Sequence, residues 1–140
     1  MSNILIIKLG SLGDLIQANG AIEDIKKSNS KSHVVLLTSS LYFDLMSKCP
    51  YVDEVLVDRR LPRWNLLYLY KLRKKLNTYN FINVYDLQNS SRTKFYSKYL
   101  LNTPKWSSTE TVLESGEAKS DFDKEPVLKR MEIQLRKSGI

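Results

Sequence analysis

The sequence predicts an α/β fold, a parallel sheet with helices on both faces. Three observations carry this. Short apolar runs of strand type recur at Ile4–Leu9, His33–Thr38, Asp53–Val57 and Phe81–Asp86. Between them lie segments of helical periodicity. The first run ends in the glycine-bracketed turn Gly10-Ser11-Leu12-Gly13-Asp14, which opens a helix with a carboxylate in its first turn. Strands alternating with helices give parallel, right-handed units, and the expected strand order is 3-2-1-4.

The elements follow in order. Residues 3–9 are too uniformly apolar for an amphipathic helix and read as a strand buried on both faces. A helix over residues 12–28 presents Leu12, Leu15, Ile16, Ile22 and Ile25 as its core stripe. After the polar loop 29–32, residues 33–38 form the second strand. Ser39-Ser40 is placed to cap a helix over 40–48, which Pro50 stops. Residues 53–57 form the third strand, and 58–63 a basic loop. A helix over 64–78 turns Leu66, Leu69, Leu72 and Leu76 inward and Lys71, Arg73, Lys74 and Lys75 to water. Residues 81–86 form the fourth strand, running into a helix over 90–101.

Residues 1–101 thus read as one domain. Residues 102–125 read as an irregular polar loop anchored by Trp106 and Phe122, and 126–140 as a terminal helix with Leu128, Met131 and Leu135 on one face. The order 3-2-1-4 puts the topological switch between strands 1 and 4. The polar ends Gly10–Asp14 and Asp86–Arg92 then face each other across one crevice, where open α/β sheets hold ligands.

Composition narrows the chemistry. Lys and Arg number 22 against 15 Asp and Glu, a net charge of +7 over 140 residues. Such an excess suits an anionic partner as readily as it suits a solvated surface. One cysteine, Cys49, and one histidine, His33, supply neither a disulfide framework nor a Cys/His metal site, and both read as structural. No apolar run reaches the roughly 18–20 residues that span a bilayer, and Lys8 interrupts the first apolar segment too early for a signal peptide. The expectation is a cytoplasmic chain, with basic residues that allow peripheral contact at the inner membrane. Basic charge without a stacking platform or recognition helix argues against nucleic acid.

The first turn is not a dinucleotide fingerprint. Lys8 stands where the first glycine of G-x-G-x-x-G would be, and Thr38-Ser39-Ser40 lacks the acid that binds a ribose hydroxyl. Neither is it a P-loop. The glycines permit either a tight strand–helix turn or the close approach of a ligand to the helix N-terminus. Asp14 is placed to stabilise that N-terminus, or to take a proton from a hydroxyl group. Arg59, Arg60 and Arg63 form either a solvated loop or an anion clamp.

Four segments in order carry a family resemblance. Ile4-Leu5-Ile6-Ile7-Lys8-Leu9-Gly10-Ser11-Leu12-Gly13-Asp14-Leu15 resembles the opening of the heptosyltransferases, glycosyltransferase family 9. Cys49-Pro50-Tyr51-Val52-Asp53-Glu54-Val55 resembles the family's Asn-Pro-Tyr-Val-Asp-Glu-Val segment, and Tyr85-Asp86-Leu87-Gln88 with Ser91-Arg92 its Asp-Leu-Gln segment. The helix ending in Gln134-Leu135-Arg136-Lys137-Ser138-Gly139-Ile140 resembles the one before its interdomain crossover.

The resemblance implies the N-terminal half of a GT-B fold of two Rossmann-like domains, an inverting enzyme that needs neither metal nor other cofactor. This half would hold the acceptor, a lipopolysaccharide-core or related anionic glycan or glycolipid. A second domain, expected to begin where residue 140 stops, would bind a nucleotide sugar such as ADP-heptose. Without that domain the chain is expected to be a poor enzyme. Asp14 matches the family's Gly-Asp carboxylate, the general base, which shifts its expected role from capping towards catalysis. Gly10, Ser11, Gly13, Arg59, Arg60, Arg63, Gln88 and Arg92 are the expected acceptor-binding residues. The alternative is a non-catalytic anion- or sugar-binding or scaffold domain on the same fold.

Overall fold

The computed structural model describes residues 2–101, 105–108 and 127–140. In chain order the elements are β1 (Asn3–Ile7), α1 (Leu12–Ser28), β2 (His33–Ser39), a 3-10 turn (Ser40–Tyr42), α2 (Phe43–Ser47) and β3 (Glu54–Asp58). There follow α3 (Leu66–Asn77), β4 (Asn83–Asp86), α4 (Ser91–Tyr99), β5 (Trp106–Ser107) and α5 (Val127–Lys137). The sheet order is β3-β2-β1-β4-β5, and every pairing is parallel.

β1 is central. Its Ile4–Ile7 pair with Val34–Leu37 on one side and Asn83–Asp86 on the other. Alternate side chains therefore go to opposite faces of the sheet, and both faces are dry. Ile4, Ile6, Val34 and Leu36 pack against Leu15, Ala18, Ile22 and Ile25 of α1 and Met131 and Leu135 of α5. Leu5, Ile7, Val35 and Leu37 pack against Leu69, Leu72 and Leu76 of α3 and Tyr96 of α4. Each large aliphatic side chain buried in this way contributes roughly 1.5–3 kcal/mol of transfer free energy. A strand covered on both faces has no wet positions to fill with polar residues, which is why β1 and β2 read as continuous apolar runs.

Several sequence expectations change. The expected four-strand sheet gains a fifth strand, because Trp106–Ser107 pair with Val84–Tyr85 inside the stretch read as irregular. Two residues carry no periodicity from which a strand could be recognised. Phe122 and the side chain of Leu128 lie outside the described residues. On α1, Leu12 and Ile16 are exposed and the stripe is completed by Ala18 and Ala21. On α3, Leu66 is exposed. That helix starts at Leu66 rather than residue 64, with the Asn65 side chain accepting from the Tyr68 N–H at 3.2 Å. The second helix is shorter than expected, and its serine cap does not form. Ser39 Oγ instead donates to the carbonyl of Leu9, tying β2 to the end of β1.

Candidate active site

The polar segments gather at the carboxyl edge of the central strands. β1 runs through Lys8 and Leu9 into Gly10, and α1 begins two residues later. Gly10 is buried with φ of +156°, and a Cβ there would sit 3.1 Å from Cε2 of Tyr42. A side chain at this position would have to displace that ring. Ser11, Leu12 and Gly13 are exposed, and a Cβ on Gly13 would meet nothing within 4 Å. The clearance around Gly13 is therefore open surface rather than a packing requirement.

Asp14 is half-buried in the first turn of α1. Its Oδ2 accepts from the backbone N–H of Ser11 at 3.3 Å. This contact holds the carboxylate at the helix N-terminus, where negative charge is favoured, and leaves acceptor capacity for a ligand hydroxyl.

Opposite lies the end of β4. The Leu87 N–H donates to the Ile7 carbonyl at 3.0 Å, and the Leu9 N–H to Gln88 Oε1 at 3.0 Å. The two loops are thus stitched side by side, as the strand order predicts. Asp86 is only 2% exposed, and its Oδ1 accepts from the N–H groups of Gln88 at 3.0 Å and Asn89 at 2.9 Å. Burial pushes its carboxyl up to about 6, against the opposing pull of these donors, Thr93 and Lys8. Lys8 is itself 5% exposed, and its Nζ donates to the Leu87 carbonyl at 3.1 Å. Burial drives the Lys8 ammonium down from its ordinary value, while Asp14 and Asp86 favour its charge. A buried cation therefore sits in the field of two carboxylates, one sealed and one open.

Lys8 and Asp86 were not among the expected site residues. Their signal in the sequence was a charge at the end of an otherwise apolar strand. Gln134 was also missed. It is fully buried on α5, and its Nε2 donates to the Asp86 carbonyl at 3.1 Å and the Ser107 carbonyl at 3.1 Å. Its Oε1 accepts from Asn89 Nδ2 at 3.2 Å. The terminal helix is thereby pinned to the loop that carries Asp86.

The arginines are divided. Arg92 Nη1 donates to Tyr96 Oη at 3.0 Å, and Nη2 donates to the carbonyls of Leu61 at 2.7 Å and Arg60 at 3.2 Å. It clamps the loop after β3 to α4. Beneath it the buried Asp58 accepts from the hydroxyls of Tyr68 and Tyr96 and from the Arg60 N–H. Burial and this carboxylate push the Tyr68 hydroxyl up to about 12 and the Tyr96 hydroxyl still further in the same direction. Arg63 lies over the Phe95 ring, 5.5 Å from its centroid. Arg59 lines a groove against α3, away from Asp14. Of the expected acceptor residues, Gly10, Ser11, Gly13 and Gln88 thus share the crevice with Asp14, while Arg59, Arg60 and Arg63 belong to the loop after β3 and Arg92, on α4, is tied to that loop. His33 Nε2 is 3.1 Å from Glu54 Oε1 at the opposite edge, and Cys49 is half-buried. Among the described residues no cluster of His, Cys, Asp and Glu could hold a metal ion, and no helix is long and apolar enough to cross a membrane.

Comparison with known proteins agrees with this layout. No family model matches the chain. A protein of Haemophilus influenzae described as a putative glycosyltransferase is 37% identical over 60 residues, 43% of this chain and 17% of that protein. Among solved structures, a family 9 glycosyl transferase from Veillonella parvula superposes with a TM-score of 0.75 at 17% identity, covering 99% of this chain and 42% of the other. The E. coli heptosyltransferase WaaC, solved with ADP, superposes with a TM-score of 0.69 at 14% identity, covering 97% of this chain and 47% of the other. The chain spans less than half the length of each of these proteins. It has the fold found in the family 9 glycosyltransferases, the same family that its four sequence segments resemble.

Proposed function

We propose that this chain is the acceptor-side half of a heptosyltransferase-type glycosyltransferase, with Asp14 as the general base. The observation that carries the reading is the position of Asp14. It is the half-open carboxylate at the crevice, on a helix N-terminus beside exposed Ser11 and Gly13, with a sealed Asp86 and a buried Lys8 behind it.

In the proposed step the acceptor hydroxyl gives its proton to the Asp14 carboxylate. The hydroxyl oxygen then bonds to the anomeric carbon of the donor, on the face opposite the departing group. The bond from that carbon to the nucleotide diphosphate breaks, the diphosphate takes the electron pair, and configuration inverts. The buried Lys8 ammonium offsets the charge of Asp86 behind the crevice.

A nucleotide sugar is the donor class this reading requires, and WaaC has been solved with ADP-2-deoxy-2-fluoro heptose. Groups that stabilise the leaving diphosphate would come from a second domain, and such electrostatic stabilisation is commonly worth orders of magnitude in rate. The acceptor would be a lipopolysaccharide-core or related anionic glycan, met at the inner surface of the membrane.

The test is sugar transfer from ADP-heptose to an inner-core acceptor, with this chain supplied together with a nucleotide-sugar-binding domain. Asp14→Asn should cut turnover by roughly 10²–10⁴-fold, the usual value of general base catalysis, while acceptor binding is kept. Undiminished transfer would remove Asp14 as the base. Acceptor binding with no transfer in any pairing would favour the binding-domain alternative.

A further inference from the structure

The loop after β3 and the helix it feeds carry a surface that the proposed chemistry does not use. From Arg59 to Lys75 the chain holds seven basic residues and no acidic one. The same segment exposes four large apolar side chains: Trp64 at 80%, Leu66 at 75%, Leu67 at 64% and Tyr70 at 62%. Exposure of that much apolar surface in consecutive turns costs free energy in water and marks a contact surface.

Position along the helix separates the two chemistries. α3 turns Leu69, Leu72 and Leu76 to the sheet. Leu67, Tyr70, Lys71 and Lys74 fall on the opposite side at helical spacing. The apolar members occupy the first turns and the lysines the later ones, within a helix about 18 Å long at 1.5 Å per residue. Between β3 and α3 lies a groove of about 250 Å³ lined by Arg59, Leu67, Lys71 and Lys75 among others.

We infer that this face binds an anionic lipid bilayer, with Trp64, Leu66, Leu67 and Tyr70 entering the interface and Arg59, Lys71, Lys74 and Lys75 on the lipid phosphates. Charge complementarity selects the occupant, because a basic segment with no acid of its own, set around aliphatic side chains with Glu54 the carboxylate beside Lys75, suits a layer that is anionic at its surface and apolar beneath. Trp64 and Tyr70 could each stack a nucleobase, but the exposed aliphatic Leu66 and Leu67 beside them suit an apolar layer, and the RNA arm of the test separates the two. The amino end of α3 follows the carboxyl end of β3, so the apolar end of this face lies at the sheet edge that carries Asp14, with α3 and α1 on opposite faces of the sheet. A bilayer held there would lie beside the crevice and make a glycolipid acceptor local. That consequence rests on the proposed function, but the binding itself does not.

The experiment is flotation of the full chain with phosphatidylcholine vesicles, with and without phosphatidylglycerol, in the absence of any sugar substrate. Wild type should partition onto the anionic vesicles with a blue shift of tryptophan emission, and release as salt is raised. Lys71→Gln with Lys74→Gln should partition about thirtyfold less, each basic side chain near the surface being worth about fivefold. Lys31→Gln, on an exposed loop elsewhere, should stay within about twofold of wild type. Trp64→Phe leaves Trp106 as the remaining tryptophan and should bind without the shift. Leu66→Ser with Leu67→Ser should lose the insertion while its thermal melt is unchanged. Equal binding to neutral and anionic vesicles, lysine variants that bind like wild type, a full shift in Trp64→Phe, or preference for single-stranded RNA over vesicles would each overturn the inference. Because no substrate is present, failure here leaves the Asp14 reading standing, and loss of sugar transfer leaves this one standing.

Discussion

The Nζ of Lys8 donates to the carbonyl of Leu87 at 3.1 Å, binding a cation at the end of β1 to the residue that follows Asp86 at the end of β4. Both side chains are almost fully buried, and burial disfavours the Lys8 charge while Asp14 and then Asp86 favour it.

Lys8→Met should therefore destabilise the fold in a pH-dependent way. It strands a buried carbonyl, at a cost of about 1–3 kcal/mol, and removes a charge that holds the Asp86 carboxyl down. The loss should be larger above a pH of about 6, where Asp86 is ionised, than below it. Urea midpoints on either side of that pH measure the difference, and equal losses would mean the two charges are not coupled.

Asp86 itself should give a slope of opposite sign to the usual carboxylate. Its pKa in the folded chain is raised to about 6 from 3.8, so the folded state binds the proton more tightly than the unfolded one. The stabilisation this provides is complete below 3.8 and is lost as pH rises through about 6, a change on the order of 2–3 kcal/mol. Asp86→Asn keeps an oxygen for the N–H groups of Gln88 and Asn89 and removes the titration. The stability of wild type relative to this variant should fall between about pH 4 and pH 6, by chemical denaturation. A constant difference would show that Asp86 does not titrate there.

Glycines 10 and 13 should respond differently to alanine. Gly10→Ala drives a Cβ to 3.1 Å from the Tyr42 ring at φ of +156°, and should lower the thermal midpoint. Gly13→Ala meets open space within α1 and should raise stability by up to about 1 kcal/mol through helix propensity. If an acceptor approaches there, the same substitution should raise KM for acceptor in the reconstituted transfer assay. A stabilised variant with unaltered KM would remove Gly13 from the acceptor site.

Arg92→Lys should behave almost as badly as Arg92→Ala. The guanidinium reaches Tyr96 with one nitrogen and the carbonyls of Arg60 and Leu61 with the other, which a single ammonium cannot reproduce. A loss of about 1–3 kcal/mol is expected for either, read by urea unfolding. Full stability in the lysine variant would show that the fork geometry is dispensable.

Much of this architecture was legible in the chain. Apolar runs uninterrupted by polar residues identified strands covered on both faces, and the helices between them dictated parallel pairing, hence the crevice between β1 and β4. The Gly-Asp turn located Asp14 because a helix N-terminus after a strand is a local feature. Tertiary structure alone decided the rest. Which leucines of α1 and α3 were buried depended on where the sheet lay, since periodicity places the stripe only to within a neighbouring position. β5 exists because β4 offers an open edge to two residues with no pattern of their own. Arg92 and the loop arginines were legible as charges but not as partners. Whether an arginine faces a ligand, a ring or a carbonyl depends on atoms supplied by residues about 30 positions away in the chain. The same holds for Lys8, Asp86 and Gln134, because the tolerance of a buried polar group is set by the partners that only folding brings to it.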